Sequence, residues 1–150
     1  MSTTLPPTHT AESPLYRLEL VASPDEVDEL NHVSNLVYLK WVLRAAQAHS
    51  AALGYDYQAY YQLGSVFVVR RHEIEYVLPS YAGDRIVLTT WIESWRGASS
   101  VRKTTVTRME DGALLAEAST LWALVSIKGG KPVRIPDQLK LAFRQAPPQR

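Results

Sequence analysis

The chain has 150 residues, enough for one domain, and carries almost no net charge. A chain of this length buries roughly 68–70% of the surface that its unfolded form exposes, so it needs neither a metal nor a disulfide to fold. Sixteen basic residues balance fifteen acidic ones without long runs of like charge, which argues against nucleic-acid binding. The absence of cysteine excludes disulfides, a thiolate zinc site and a cysteine nucleophile.

Neither a signal-like N-terminus nor an apolar run of membrane-spanning length occurs in the sequence. We therefore expect a cytoplasmic protein that does not bind a membrane. Residues 1–14 and 146–150 lack any apolar period, which predicts a disordered tail at each end of a single domain over residues 15–145. That domain begins with a strand over residues 15–22, where apolar and polar residues alternate before a break at Pro24.

A long helix is predicted over residues 35–53, where the hydrophobic period changes. One face repeats at steps of three and four residues and consists of Leu36, Leu39, Leu43, Ala46, Ser50 and Leu53. The other faces are also largely apolar, with only a narrow polar stripe of Lys40, Arg44 and Gln47. This pattern predicts a helix that is buried on most sides. A second short helical turn is expected over residues 55–63.

Four stretches rich in β-branched and aromatic residues follow, at 65–78, 85–94, 99–109 and 114–127. Their short connections predict that consecutive strands are antiparallel neighbours, and Asp111-Gly112 is a strong hairpin signal. Residues 136–143 are expected to form a terminal helix. A strand, a buried helix and four antiparallel strands predict the α+β class and the hotdog fold, in which a curved five-stranded sheet wraps around one central helix.

Residues 28–38 form a polar segment between the first strand and the long helix. The amides at a helix N-terminus lack intrahelical partners and lie at the positive end of the macrodipole, so they stabilise the oxyanion that develops during acyl transfer. Asp28 precedes this terminus and is suited to deprotonate a water or to attack a carbonyl directly. The same residue types also suit a structural role, with Asp28 capping a turn and Ser34 or Asn35 capping the helix.

His32 is suited to orienting a substrate, although a single histidine in a loop also serves structure. The sequence contains no G-x-S-x-G elbow, H-E-x-x-H pair or glycine-rich phosphate loop. The usual signatures of triad hydrolases, zincins and nucleotide-binding folds are therefore missing. We expect neither a metal nor a cofactor.

The polar segment also carries a family resemblance. Its pattern Asp28-x-x-x-His32-Val33-Ser34-Asn35-x-x-Tyr38-Leu39-x-Trp41 resembles the D-x-x-G-H-V-N-N-x-x-Y-L-x-W signature of 4-hydroxybenzoyl-CoA thioesterase-like proteins, which are hotdog acyl-CoA thioesterases. The resemblance covers residues 16–139 and continues through Tyr76-x-x-Pro79-x-x-x-Gly83-Asp84, Arg108-x-x-Asp111-Gly112, Ala116-x-Ala118-x-Thr120 and Lys131-Pro132-x-Arg134-Ile135-Pro136. Three positions depart from the family pattern: Asn31 replaces a glycine, Ser34 an asparagine, and Leu43 a glutamate found in many relatives.

The resemblance implies an acyl-CoA thioesterase in which Asp28 is the catalytic carboxylate, either as general base or as nucleophile. It places His32 and Asn35 beside Asp28 in the active site. It also implies that His32, Asn35 and Tyr38 shape the mouth of the site. We expect the substrate to contact Tyr38, Val33 and Ser34.

The resemblance further implies a homodimer or homotetramer with the active site at the subunit interface. We expect the phosphates of CoA to lie in a surface groove near strand ends, where the basic residues are Arg96, Arg102 and Arg134. Two alternatives remain open. One is a non-catalytic hotdog module that binds acyl groups, and the other is a hotdog hydratase, whose usual Asn-Pro dipeptide is missing here.

Overall fold

The computed structural model describes residues 14–145, which form one five-stranded antiparallel sheet and three α-helices. The strands are β1 (Tyr16–Val21), β2 (Ser65–Tyr76), β3 (Arg85–Arg96), β4 (Ser99–Arg108) and β5 (Leu114–Ser126). The helices are α1 (Asn35–Ala52), α2 (Tyr57–Leu63) and α3 (Asp137–Phe143). The tails predicted at 1–14 and 146–150 lie outside the described residues, apart from Pro14. Within the described range, no helix is both long and apolar enough to cross a membrane.

Local capping fixes the ends of the first two helices. The Ser34 hydroxyl accepts a hydrogen bond from the Leu36 amide at 3.3 Å, which confirms Ser34 as the N-cap of α1. The carboxylate of Asp56 caps α2 in the same way, accepting from the Ala59 amide at 2.9 Å. The chain leaves α2 through Gly64 with a φ of 82°, a left-handed conformation that a residue without Cβ adopts at little cost.

The sheet has the strand order β1-β3-β4-β5-β2, with every neighbouring pair antiparallel. The prediction that consecutive strands are neighbours is confirmed for β3, β4 and β5, which form a meander. It is wrong for β2 and β3. Residues 77–84 carry the chain across one end of the sheet, so that β2 pairs with β5 at one edge while β3 pairs with β1 near the other. Register shifts in three strand pairs mark bulges, which bend a sheet.

The larger hydrophobic core lies between α1 and the concave face of the sheet. Trp41 and Ala45 of α1 pack against Ile86 and Leu88 of β3 and Leu115 of β5. A second cluster lies at the far end of α1, where Leu139 and Phe143 of α3 pack with Leu124 and Ile135. The hotdog architecture predicted from the element order is therefore confirmed, with one long helix held in a curved antiparallel sheet.

The orientation of α1 differs from the prediction. Its buried face consists of Val37, Tyr38, Trp41, Val42, Ala45, Ala46, His49 and Ser50. The predicted stripe is offset from this face, because Leu36 is 68% exposed and Leu39 and Leu43 are only half-buried. The expectation that α1 is buried on most sides is wrong for the single chain, since the helix covers the sheet with one face and leaves an apolar side chain of its first turn in solvent.

Candidate active site

The segment between the 3₁₀ turn at Pro24–Glu26 and α1 is a tight loop organised by Asp28. One carboxylate oxygen of Asp28, Oδ1, accepts hydrogen bonds from the amides of Leu30 at 2.9 Å and His32 at 3.1 Å. The Asp28 amide donates to the His32 carbonyl at 2.7 Å, and Asn31 closes the turn at a φ of 63°. Asparagine tolerates this left-handed conformation, which explains how it replaces the glycine of the family pattern. The capping role considered for Asp28 is therefore present.

The catalytic role uses the same carboxylate and is compatible with that cap. Asp28 is exposed, and among the described residues only its Oδ1 has hydrogen-bond partners. The second oxygen thus remains available to a ligand while the first holds the loop. Because the amides of Leu30 and His32 bond to the carboxylate, the loop fixes its position without covering it.

The helix N-terminus beside this loop supplies fewer donors than expected. The Val33 amide donates to the Ser80 carbonyl at 2.8 Å, and the Ser34 amide donates to the Glu26 carbonyl at 2.9 Å. Leu36 bonds to the Ser34 cap at 3.3 Å. Asn35, the first helical residue, has no intrahelical acceptor for its amide. The donor best suited to an oxyanion is therefore the Asn35 backbone, whose positive partial charge the helix dipole reinforces.

The crossover segment, residues 77–84, packs against the Asp28 loop and forms hydrogen bonds with it. Ser80 is fully buried; its carbonyl accepts from the Val33 amide and its hydroxyl lies 2.5 Å from the Tyr38 phenol oxygen. The Tyr81 ring meets the His32 imidazole edge-on at 5.3 Å, and the two residues form a β-bridge. The loop is thus bound to a part of the chain that joins β2 to β3.

An arginine fixes the crossover in turn. Arg108 at the end of β4 binds both carboxylate oxygens of Asp111 at 3.2 Å, which is the paired geometry of a guanidinium with a carboxylate. Its Nη1 also donates to the Pro79 carbonyl at 3.3 Å and to Asp84 at 3.4 Å. The hydrogen bond and charge of Asp111 raise the pKa of Arg108. This clamp connects the β4–β5 hairpin to the crossover.

Exposed apolar side chains surround the Asp28 loop. Leu30 on the loop is 72% exposed, and Leu36 in the first turn of α1 is 68% exposed. Tyr76, whose hydroxyl donates to the Asn35 carbonyl at 3.1 Å, and Tyr81 beside His32 are 43% and 40% exposed. Apolar groups gathered around a polar centre are typical of a surface that binds a ligand or a partner chain. We call these four side chains the apolar rim.

The structure separates the predicted site residues near Asp28 into two groups. Asp28 and Asn35 are exposed and His32 is half-buried, so the proposed catalytic residues lie together at the surface. Tyr38 and Val33, in contrast, are each only 3% exposed. Burial raises the pKa of the Tyr38 phenol, against the opposing effect of its bond to Ser80. Neither of these two side chains faces solvent in the single chain, so Tyr38 does not reach the surface there, and substrate contact with Tyr38 or Val33 stays a prediction.

The predicted phosphate-binding arginines are not one group either. Arg96 and Arg134 are exposed, and the bond from the Ile135 amide to the Gly97 carbonyl holds their chain segments together. Both arginines lie at the Arg96 end of β3. The Arg85 end of the same strand adjoins the Asp28 loop and is about 35 Å away along the strand. Arg102 is only 4% exposed and faces the interior, so its predicted place in a surface groove is wrong.

The residues that sequence reasoning missed are those that support the site. Ser80 and Tyr81 lie inside the Pro79-x-x-x-Gly83-Asp84 motif, but their residue types alone indicate no role in the site. That motif was the available signal, because a motif between two strands indicates a constrained connection. Its three-dimensional contact with the Asp28 loop follows only from the crossover.

The fold and the loop geometry define the class to which this protein belongs, a hotdog domain with an exposed carboxylate in the loop that precedes its central helix. The family model described as the thioesterase-like superfamily matches residues 22–143. The chain therefore belongs to the thioesterase-like superfamily. No curated protein matches it.

Solved structures with the same fold include several described as thioesterases. A 1,4-dihydroxy-2-naphthoyl-CoA thioesterase from Synechocystis is 17% identical with a TM-score of 0.79, over 86% of this chain and 95% of that one. A DHNA-CoA thioesterase from Staphylococcus aureus is 22% identical with a TM-score of 0.72, over 81% and 80%. An acyl-ACP thioesterase from Bacteroides thetaiotaomicron is 22% identical with a TM-score of 0.75; the match covers 81% of this chain but only 49% of that protein. At these identities the likeness establishes the fold.

Proposed function

We propose that this chain is an acyl-CoA thioesterase in which Asp28 acts on the thioester carbonyl. The observation that carries the proposal is the Asp28 carboxylate, which is positioned by two backbone amides yet exposed beside a helix N-terminus. Family membership supports thioester chemistry, and the apolar rim offers a surface for an acyl group. The proposed location remains the cytoplasm.

As a general base, Asp28 takes a proton from a water while the water oxygen attacks the carbonyl carbon. The carbonyl oxygen becomes an oxyanion that the Asn35 amide stabilises at the positive end of α1. When the C–S bond breaks, the proton passes from Asp28 to the CoA thiolate, and the products are a free acid and CoA. As a nucleophile, Asp28 would instead form an anhydride with the acyl group and expel the thiolate, and water would then hydrolyse the anhydride.

We further propose that the active protein is a homodimer or a tetramer built from dimers. Leu36, the rest of the apolar rim and the outer edge of β2 are exposed in the single chain, and such features are commonly covered by a second copy. The distance along β3 between the Asp28 loop and Arg96 also favours an assembly. If Arg96 and Arg134 contact CoA phosphates, they most readily do so for a thioester held by another protomer.

The decisive experiment compares Asp28→Asn with wild type over a panel of acyl-CoA substrates. Asparagine retains the Oδ1 acceptor that organises the loop but removes the negative charge. We expect kcat to fall by at least roughly 10²-fold with little change in KM, the scale of a lost general base. Release of CoA can be followed with a chromogenic thiol reagent without background, because the protein has no cysteine.

Asp25→Asn is the matched control, since Asp25 is another exposed acid only three residues away in the 3₁₀ turn. It should leave kcat within a few-fold of wild type, while His32→Ala should give an intermediate loss because positioning is worth less than the reacting group. A folded Asp28→Asn protein with full activity would refute the mechanism. A wild-type protein that binds acyl-CoA but hydrolyses none of the panel would favour the non-catalytic module.

A further inference from the structure

A cavity of about 410 Å³ lies between the C-terminal half of α1, α2 and the concave face of the sheet. Its wall is largely aromatic and includes Tyr60, Phe67, Trp95, Trp122 and Phe143. The first residue of α1, counted from its N-terminus, that lines the cavity is Ala46, which lies about 18 Å along the helix axis from the Ser34 cap. The cavity therefore lies well away from the Asp28 loop of the same chain.

Arg102 from β4 brings a buried positive charge to this wall. Its Nη1 donates to Nδ1 of His49 at 2.9 Å and to the Thr90 hydroxyl at 3.0 Å, and its guanidinium carbon lies 5.8 Å from the centre of the Phe143 ring. Within residues 14–145 no carboxylate forms an ion pair with it. Asp56, the acidic residue that lines the cavity, uses its carboxylate to cap α2.

The partners of Arg102 do not neutralise it. Burial, and secondly the charge of Arg102, lower the pKa of His49 to about 3, so its imidazole is neutral at pH 7. Burial lowers the pKa of Arg102 to about 10, which still leaves the guanidinium positive. A buried cation with only neutral hydrogen-bond partners is unfavourable, and an anion brought next to it would relieve that cost.

Further polar atoms at the cavity wall point to the same kind of ligand. The Ser100 hydroxyl and the Trp122 indole nitrogen are buried without a hydrogen-bond partner among the described residues, and both residues line the cavity. Ser100 lies two positions before Arg102 on β4, so their side chains leave the strand on the same face. The hydroxyl and the indole N–H both donate, as the guanidinium does.

We propose that this cavity binds an amphipathic monocarboxylate, with its carboxylate on Arg102 and its apolar body against the aromatic wall. A planar guanidinium matches a carboxylate in shape and charge. The inference stands on the cavity alone and does not require the proposed thioesterase activity. A free carboxylic acid is also the product class of thioester hydrolysis, so the same site would let product bind away from Asp28.

The test compares octanoate with 1-octanol, two probes with the same chain length and different head groups. Binding is followed by titration calorimetry and by the fluorescence of Trp95 and Trp122, which line the cavity. Wild type should bind octanoate at least about tenfold more tightly than octanol, a difference of ~1.4 kcal/mol. Equal affinity for the two probes, or no octanoate binding at millimolar concentration, would overturn the proposal.

Variants locate the binding site. Arg102→Met should weaken octanoate binding by about tenfold or more and leave octanol binding unchanged. Arg85→Met, at an exposed arginine outside the cavity and at the other end of β3, should change neither. Ala51 lines the cavity but is exposed, so Ala51→Trp should block both probes without disturbing the core. Unchanged octanoate binding in a folded Arg102→Met or Ala51→Trp protein would refute the assignment of the carboxylate site to this cavity. If Arg102→Met does not fold, the relative affinity of wild type for octanoate and octanol still tests the proposal.

Discussion

Alanine substitutions along α1 test which face of the helix packs on the sheet. Trp41 is 3% exposed, meets the Tyr38 ring at 5.1 Å and belongs to the main core, whereas Leu36 is 68% exposed. Truncating a buried aromatic residue costs roughly 3–5 kcal/mol, because apolar contacts are lost and a cavity remains. Against a total stability of about 5–15 kcal/mol, Trp41→Ala should greatly lower the urea midpoint. Leu39→Ala, at a half-buried position, should cost less than Trp41→Ala.

Leu36→Ala is the informative comparison, since sequence periodicity places Leu36 and Leu39 on the buried face. In the folded monomer Leu36→Ala should change the free energy of unfolding by no more than about 0.5 kcal/mol. If Leu36 lies in a dimer interface, the stability that Leu36→Ala loses relative to wild type should grow with protein concentration, because association adds stability by mass action. Urea unfolding at two protein concentrations separates these cases. A large, concentration-independent loss for Leu36→Ala together with a small one for Trp41→Ala would refute the described orientation of α1.

Three other measurements address the supports of the two sites. Tyr38→Phe removes the phenol that pairs with the buried Ser80 hydroxyl and should cost about 1–3 kcal/mol in chemical denaturation. His49 has a folded pKa of about 3, below its unfolded value near 6.5. The contribution of His49 to wild-type stability should therefore be complete above pH 6.5 and fall by ~1.4 kcal/mol per pH unit below it. His49→Gln keeps an acceptor for Arg102 and should lose less stability between pH 7 and pH 5. Arg108→Lys loses the paired contact with the Asp111 carboxylate. It should lower kcat more than it lowers stability, since this ion pair is largely at the surface. Activity equal to that of wild type would show that the crossover keeps its position without Arg108.

Much of the fold could be predicted because its elements have clear local signals. The strands and α1 agree with their predicted bounds to within two residues at each end. The buried face of α1 could not be chosen, because apolar residues occur on overlapping faces and Leu36 fits the helical period as well as Val37 does. The crossover could not be predicted either, since residues 77–84 are short enough for a hairpin yet long enough to pass two intervening strands at ~4.8 Å spacing.

The candidate active site was predictable in part. Asp28, His32 and Asn35 are brought together because they lie close in sequence beside a helix start. Arg102 shows the limit of residue type as a guide, since a basic side chain predicts a place in a surface groove, whereas this one is buried against His49 and Thr90. Its position shares the parity of Val106, which is buried on the same face of β4, so strand alternation indicates an inward side chain. That interpretation requires knowing which face of β4 packs on the helix.

The dependence of the Asp28 loop on Ser80 has a consequence for the order of folding. The β3–β4–β5 meander closes through short turns, whereas the bond between the Val33 amide and the Ser80 carbonyl joins residues 47 positions apart. Contacts between residues that are far apart in sequence have a larger loop-closure entropy cost and form more slowly. We therefore expect the meander to fold first and the Asp28 loop to become ordered only after the crossover is in place. In the native protein this loop should likewise open locally while the meander stays protected, so that amide exchange is faster at residues 28–33 than in β4.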